Sequence, residues 1–375
     1  MPIQVGIIGC GVVGAAIAYT LSQMPGVKVW VWDRRLPQAY EATGAALGVL
    51  MAVSSPKLKG RHLQLRLESL RQYEALIPRL QAQTHIEIPY NRQGILKLCF
   101  SVDELQRWQA IQGVRQRQGF GLEIWNAVQL SEFYPELMQA RCLEPPMGVQ
   151  GAIYSPDDRQ VDPVVLTQAL LVGAQRQGAQ VRFETEIQAW REERGEMGEG
   201  SDRTLTHICT PQGDYALDWL IVAAGLGSVP LAAQWQHPVP MEPVLGQALQ
   251  LRLPRPWRYP QPVISGNDIH LVPLNAQELW VGATVEFAAN AEVPRADRQA
   301  LERLYQGAIA LYPDLAEAQI LKTWSGHRPR PVGQAAPVIK RLSPYANVIL
   351  ASGHYRNGVL LAPITATKIQ QFLCP

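Results

Sequence analysis

A chain of 375 residues is long enough to bury a large core and to divide into two lobes. Hydrophobic residues make up 47% and charged ones 18%, an ordinary globular balance, and a formal net charge of +2 argues against an electrostatic nucleic-acid binder. No run is long and apolar enough to span a membrane, and the apolar start lacks the basic region and small-residue cleavage site of a signal peptide, so a cytoplasmic protein is expected.

Gln4 to Ile8 reads as a buried strand, followed at once by Gly9-Cys10-Gly11-Val12-Val13-Gly14. A helix to Met24 and a second strand, Val27 to Trp32, lead to Asp33. Strand, glycine turn, helix, strand and acid in this order form a dinucleotide fingerprint. Gly9 permits the turn, Gly11 lets backbone approach a pyrophosphate, and Gly14 allows close helix–strand contact. The helix N-terminus offers free N–H groups to phosphate, and Asp33 offers acceptors to ribose hydroxyls. These residues leave open whether the dinucleotide is a flavin or a nicotinamide.

Past Arg34, the small-residue run Gly44-Ala45-Ala46-Leu47-Gly48 suits close packing, either against a flat ligand or between helices. Leu58 to Leu80 has helical periodicity, with Leu63, Leu67, Leu70, Tyr73 and Leu76 recurring. Ile86 to Leu98 is strand-like with a turn at Asn91 to Gly94, and Val102 to Gln118 is helical. Gly151 to Tyr154 is a short strand. Asp162-Pro163 caps a helix from Val164 to Arg176. Val181 to Trp190 reads as one strand, and Arg191 to Arg203 as a charged hairpin tip. Trp219 to Ala224 is an apolar strand returning to the nucleotide sheet, with Gly225 at its carboxyl end. Pro238 to Thr284 is rich in β formers and suits an antiparallel sheet. Arg298 to Tyr312 is a helix. Ile320 to Trp324 is a strand ending before Gly326-His327-Arg328-Pro329. Val348 to Ala351 is a strand, followed by Gly353-His354-Tyr355-Arg356-Asn357-Gly358 and a last helix, Thr365 to Leu373.

The expected fold is α/β. A Rossmann-like nucleotide lobe is assembled from discontinuous segments near 1–80, 150–235 and 325–375, and an α+β lobe with an antiparallel sheet from 81–149 and 236–324. The cysteines (Cys10, Cys99, Cys142, Cys209 and Cys374) are too scattered for a disulfide framework or zinc cluster. No GxSxG elbow or HExxH pair is present.

The fingerprint, Thr43 to Leu50, Asp162-Pro163, Val222 to Gly225, Val281-Gly282-Ala283-Thr284, Gly326 to Pro329 and Gly353 to Pro363 together resemble the FAD-dependent D-amino-acid oxidase/glycine oxidase family. The likeness is greatest to its glycine-oxidising branch, which serves thiamine (thiazole) biosynthesis. The resemblance implies non-covalent FAD, held at its adenine end by Gly9, Gly11, Val12, Val13, Gly14, Asp33 and Arg34. Thr43, Gly44, Ala45, Ala46 and Gly48 would line the pyrophosphate and ring side, with Ala224 and Gly225 also near the nucleotide. Gly353, His354, Arg356, Asn357, Gly358, Val359 and Leu360 would run beside the flavin ring.

It also implies that Arg328 grips a substrate carboxylate, since the planar guanidinium can hold one through two parallel charged hydrogen bonds. Arg356 would lie in the active-site region. His270 stands where the family has a tyrosine that assists carboxylate binding, and Val285 stands where an apolar residue flanks the substrate. Leu274 replaces a customary arginine. The expected partners are a small amino-acid substrate, oxygen and a second copy of the chain, with possible handover of product to a thiazole-forming enzyme. A D-amino-acid dehydrogenase, a nicotinamide dehydrogenase and a non-catalytic flavoprotein are the competing readings.

Overall fold

The computed structural model describes residues 1–143, 146–194, 203–257, 260–288 and 292–373. Its nucleotide sheet has six strands in the order Gln180–Arg182, Val27–Trp32, Ile3–Ile8, Trp219–Val222, Val348–Ser352 and Val338–Arg341. The first five are mutually parallel, and the last pairs antiparallel at the edge. Buried on both faces, the central strands carry unbroken apolar runs such as Leu220-Ile221-Val222. Helices Val12–Ser22, Pro163–Arg176 and Gly358–Leu373 cover one face, with the long helix Arg61–Thr84 packed over them. On the other face lies a three-stranded meander, Ala189–Arg194, Arg203–Thr210 and Gly213–Ala216, whose Leu205 and Ile208 pack with Trp32, Leu220 and Val348.

The second sheet has eight strands, in the order Gln319–Pro331, Met241–Arg252, Glu278–Gly282, Ile269–Pro273, Val263–Gly266, Ile95–Cys99, Gly151–Ser155 and Glu123–Asn126. Every neighbouring pair is antiparallel except Val263–Gly266 with Ile95–Cys99. Helix Arg298–Leu311 packs on this sheet through Leu304, Ala308 and Leu311. Among the described residues, no helix is long and apolar enough to cross a membrane.

Several expectations shift. Gly151–Ser155 and Gln319–Pro331 belong to the eight-stranded sheet, whereas the sequence places 150–235 and 325–375 in the nucleotide lobe; a short strand does not carry the identity of its partner in its own residues. The strand expected from Val181 to Trp190 stops at Arg182, bends through Glu184 at φ 51° and resumes at Ala189 in the meander. The hairpin tip beyond it falls partly at 195–202, and Cys374 at the C-terminus; both lie outside the described residues. Val338–Arg341 escaped the sequence reading. The strand expected to end at Trp324 continues through Gly326-His327-Arg328 to Pro331. Its prolines are tolerated because it is an edge strand, where a missing N–H breaks no central ladder.

The last helix begins at Gly358, ahead of the expected Thr365, and contains Pro363. Proline cannot donate to the carbonyl of Val359, one turn back. The buried Tyr73 hydroxyl donates to that oxygen instead, at 2.5 Å. Ser69 Oγ accepts from the next amide, Ile364, at 3.3 Å. Two side chains of the long helix thus repair the break, and the helix survives a residue that would ordinarily stop it.

Candidate active site

A cavity of about 410 Å³ lies where the two sheets approach each other. One end is formed by the glycine turn and the first helix. A Cβ on Gly14 would stand 1.9 Å from the Gly9 carbonyl oxygen, so only glycine lets the helix sit on the turn. Gly11 N-caps that helix without a side-chain cap, and Val12 N–H donates to Thr43 Oγ1 at 3.1 Å. Gly11, Val12 and Val13 face the cavity, whereas Gly9 and Gly14 serve the turn behind it.

Asp33 is buried, but its oxygens are already engaged. Cys10 N–H donates to Oδ2 at 2.7 Å, and Arg35 donates from its backbone amide, Nε and Nη2. Burial alone would raise the Asp33 carboxyl; the hydrogen bonds and charge of Arg35, with the Cys10 amide, outweigh it and hold the group below the usual carboxylate range. Any ribose contact therefore shares Asp33 with Arg35. The sequence reading passed over Arg35 for Arg34, which is exposed and off the cavity wall.

The walls are small. Thr43, Ala45, Ala46 and Gly48 form one side, Ala224 and Gly225 another; Gly44 is turned away against Tyr40. The edge strand Gln319–Pro331 closes over this segment: Trp324 Nε1 donates to Ala45 O at 3.3 Å, and Gly326 leaves room for the Ala45 methyl. Ser352 Oγ donates to Gly225 O at 2.9 Å, tying two strand ends together beneath. His354, Arg356, Asn357, Gly358, Val359 and Leu360 line the cavity at the start of the last helix; Gly353 makes the bend before them at φ 67°.

Arg328 is on the same strand face as Trp324 and Gly326. Its Nη1 donates to Leu245 O at 3.0 Å and Thr284 O at 3.1 Å. The guanidinium lies across Gly246 of the paired strand, so closely that a Cβ there would be 2.1 Å from Nη2. Burial, and next the charge of Arg356, push the Arg328 pKa down to about 10. It is still a cation at neutral pH, poorly solvated and beside a second cation, which is the electrostatic condition of an anion receptor. Arg356 pairs at 3.8 Å with Asp268, a carboxylate that is largely solvent-exposed. His270 also lines the cavity, with Nδ1 buried and without a hydrogen-bond partner. Burial, then Arg356, push its pKa down to about 4, so the ring is neutral. Val285 is not on the wall; Ala283 is.

Residues that no motif marked hold the site from below. Asp158 is fully buried and accepts from Ala52 N, Val53 N and Ser54 N at 2.7–2.8 Å and from Ser54 Oγ. The buried Arg115 donates to Val53 O, Ser55 O and Lys57 O. Met51, at the head of the segment they strap, faces the cavity, as does Arg66. Only burial and long-range pairing could reveal these two charges; nothing in their local sequence does.

His354 Nε2 lies 2.9 Å from Thr365 Oγ1, and burial pushes its pKa down to about 4. The unfolded chain binds that proton near pH ~6.5. Acidification from pH ~6.5 towards 4 therefore favours unfolding, by up to about 3 kcal/mol for such a histidine, and the stability is fully present above pH ~6.5. Urea midpoints should fall steeply across that window, and less steeply in His354→Asn; a flat profile would contradict a neutral buried imidazole.

A model of the FAD dependent oxidoreductase family (DAO) matches residues 4–371, nearly the whole chain. The chain belongs to that family. FAD is accordingly its cofactor, and the chain is an oxidoreductase with the family's α/β fold. The chain is 32% identical over 373 residues to the bifunctional protein ThiO/ThiG of Synechocystis sp., covering 98% of this chain and 51% of that protein. The chain thus spans about half the length of the bifunctional relatives it matches. It is 28% identical to the glycine oxidase of Geobacillus kaustophilus, covering 98% of this chain and 91% of the relative. The crystal structure of glycine oxidase from Geobacillus kaustophilus superposes with a TM-score of 0.83 at 26% identity, covering 99% of this chain and 95% of that one.

The cavity fits FAD. Beyond Val12, whose N–H is taken by Thr43, the N–H groups opening the first helix suit a diphosphate, the alanine and glycine walls admit a flat ring, and the N-terminus of the last helix on the same wall would favour negative charge on such a ring.

Proposed function

We propose that this chain catalyses oxidative deamination of glycine and other small amino acids, with oxygen as final acceptor, giving an imine that hydrolyses to glyoxylate and ammonia, and hydrogen peroxide. The observation that carries this reading is Arg328. It is a half-buried cation on the cavity wall, fixed by two backbone carbonyls and paired with no described carboxylate. When bound, FAD supplies the acceptor for the hydride that leaves the substrate α-carbon. Arg328 binds the substrate carboxylate and so sets which hydrogen is presented. The neutral His270, with Nδ1 unpartnered, accepts a hydrogen bond from substrate amine or water without adding charge. The close alanine and glycine walls exclude bulk water. Positioning carries this reaction, which accords with a site that has no nucleophile–base pair.

The resemblance extends this proposal to handover of the product to a thiazole-forming enzyme, with the protein acting in the cytoplasm as a homo-oligomer. The deciding experiment is anaerobic: glycine should bleach the flavin of the FAD-loaded protein, and admitted oxygen should restore its colour. A flavin that no small amino acid bleaches would overturn the reading, and one that bleaches but ignores oxygen would make the protein a dehydrogenase.

A further inference from the structure

The cavity holds more positive charge than a single carboxylate uses. Arg66, on the long helix Arg61–Thr84, lines it together with Arg328 and Arg356. Its guanidinium is only partly seated by the protein. Nη2 donates to Met51 O, Nη1 reaches Ser55 Oγ at a long 3.4 Å, and Nε is buried with no acceptor. Buried donors in folded proteins are ordinarily paired, so an unpaired guanidinium edge on a cavity wall points to a missing anion.

No described ion pair neutralises Arg66. Asp158, the acid whose field it feels, spends its oxygens on the amides of Ala52, Val53 and Ser54 and on the Ser54 hydroxyl. Burial holds Arg66 below its ordinary pKa; Asp158 opposes this, while Arg115 and Arg356 reinforce it. Arg356 likewise depresses Arg328. Arg356 is thus within electrostatic reach of both Arg66 and Arg328 on the wall of one cavity, where the acids among the described lining residues are the exposed Asp268 and Glu41. Glu41 stands with Arg35 at the nucleotide end. A substrate carboxylate on Arg328 leaves two guanidinium groups facing the remainder of the substrate.

We propose that the site takes small amino acids bearing a second carboxylate, which Arg66 receives beside Arg356 while Arg328 holds the first. This rests on the reading of Arg328 given above and narrows its substrate class to small dicarboxylic amino acids alongside glycine. A purely structural Arg66, clamping Met51 O, would show no preference between mono- and dicarboxylates.

The test needs no turnover. Oxidised FAD-loaded protein is titrated with malonate, succinate and acetate, followed by the flavin difference spectrum and by calorimetry. One of the dicarboxylates should bind at least about tenfold tighter than acetate, the worth of one added charge-assisted pair. In Arg66→Gln that ratio should collapse towards one, and Arg66→Lys should recover part of it. In kinetics, the kcat/KM ratio of iminodiacetate to glycine should fall about as far in Arg66→Gln. Wild-type protein that binds neither dicarboxylate more tightly than acetate overturns the proposal, as does an unchanged ratio in FAD-retaining Arg66→Gln. Failure of glycine to bleach the flavin, with the dicarboxylate preference intact, would remove the glycine reading and leave the anion site standing.

Discussion

Arg328→Ala will lower kcat/KM for glycine by roughly a hundred- to a thousandfold, chiefly through KM. Truncating one partner of a desolvated, hydrogen-bonded charge pair costs about 2–5 kcal/mol, and each ~1.4 kcal/mol is tenfold. Arg328 is held by Leu245 O and Thr284 O and lies flat on Gly246, so it meets a carboxylate without reorganising. FAD retention should survive, because the glycine turn, Thr43 to Gly48 and the last helix belong to other elements. Arg328→Lys keeps a positive charge but loses the planar two-point grip, and should fall between alanine and wild type. Oxygen uptake across glycine concentrations separates KM from kcat. A variant with wild-type KM would show that the carboxylate is gripped elsewhere.

Asp158→Ala will destabilise the folded protein by roughly 3–5 kcal/mol, since each buried donor left without its acceptor costs about 1–3 kcal/mol and part of that is relieved by local relaxation. Three amides and a hydroxyl of the Ala52–Ser54 segment would lose their acceptor where water does not replace it. Because Met51, at the head of that segment, is a cavity residue, the variant should also shed FAD on dilution or gel filtration. Asp158→Asn retains one acceptor oxygen and should lose less. Denaturant midpoints and bound-flavin absorbance measure the two effects. A midpoint shift worth under ~0.5 kcal/mol would mean that the segment holds itself.

What could be read from the sequence was whatever is local and periodic. The glycine turn stands where its spacing placed it, and the apolar run at Trp219–Val222 is a central strand. Helix Pro163–Arg176 begins at its Asp162 cap, whose carboxylate accepts from Val164 and Val165. Family likeness, more than spacing, put Arg328 and Arg356 at the site. What escaped depended on distant partners. Arg34 and Arg35 are adjacent arginines, and only the fold turns one onto Asp33 and the other outward. The start of the last helix at Gly358, ahead of the expected Thr365, escaped because Tyr73, far away in the chain, is what makes Pro363 tolerable. Asp158, Arg115 and Arg66 carry no local signature; their importance lies in being charged and buried. The continuation of the Ile320 to Trp324 strand through its prolines to Pro331 escaped because the edge status of a strand is a property of its sheet.

The pairing of Gln319–Pro331 with Met241–Arg252 sets Arg328 opposite Val244, with Gly246 against Gly326. Side chains alternate along a strand, so sliding either partner by one residue would turn the guanidinium to the opposite face. The ladder's one irregularity, between Gln250 and Leu251, lies well beyond this stretch and leaves its alignment intact. The placement of Arg328, the proposed substrate anchor, is thus an outcome of sheet alignment and not of loop conformation. Loops around the mouth can be lengthened or exchanged to admit different molecules, and the point at which every one of them is fastened stays put.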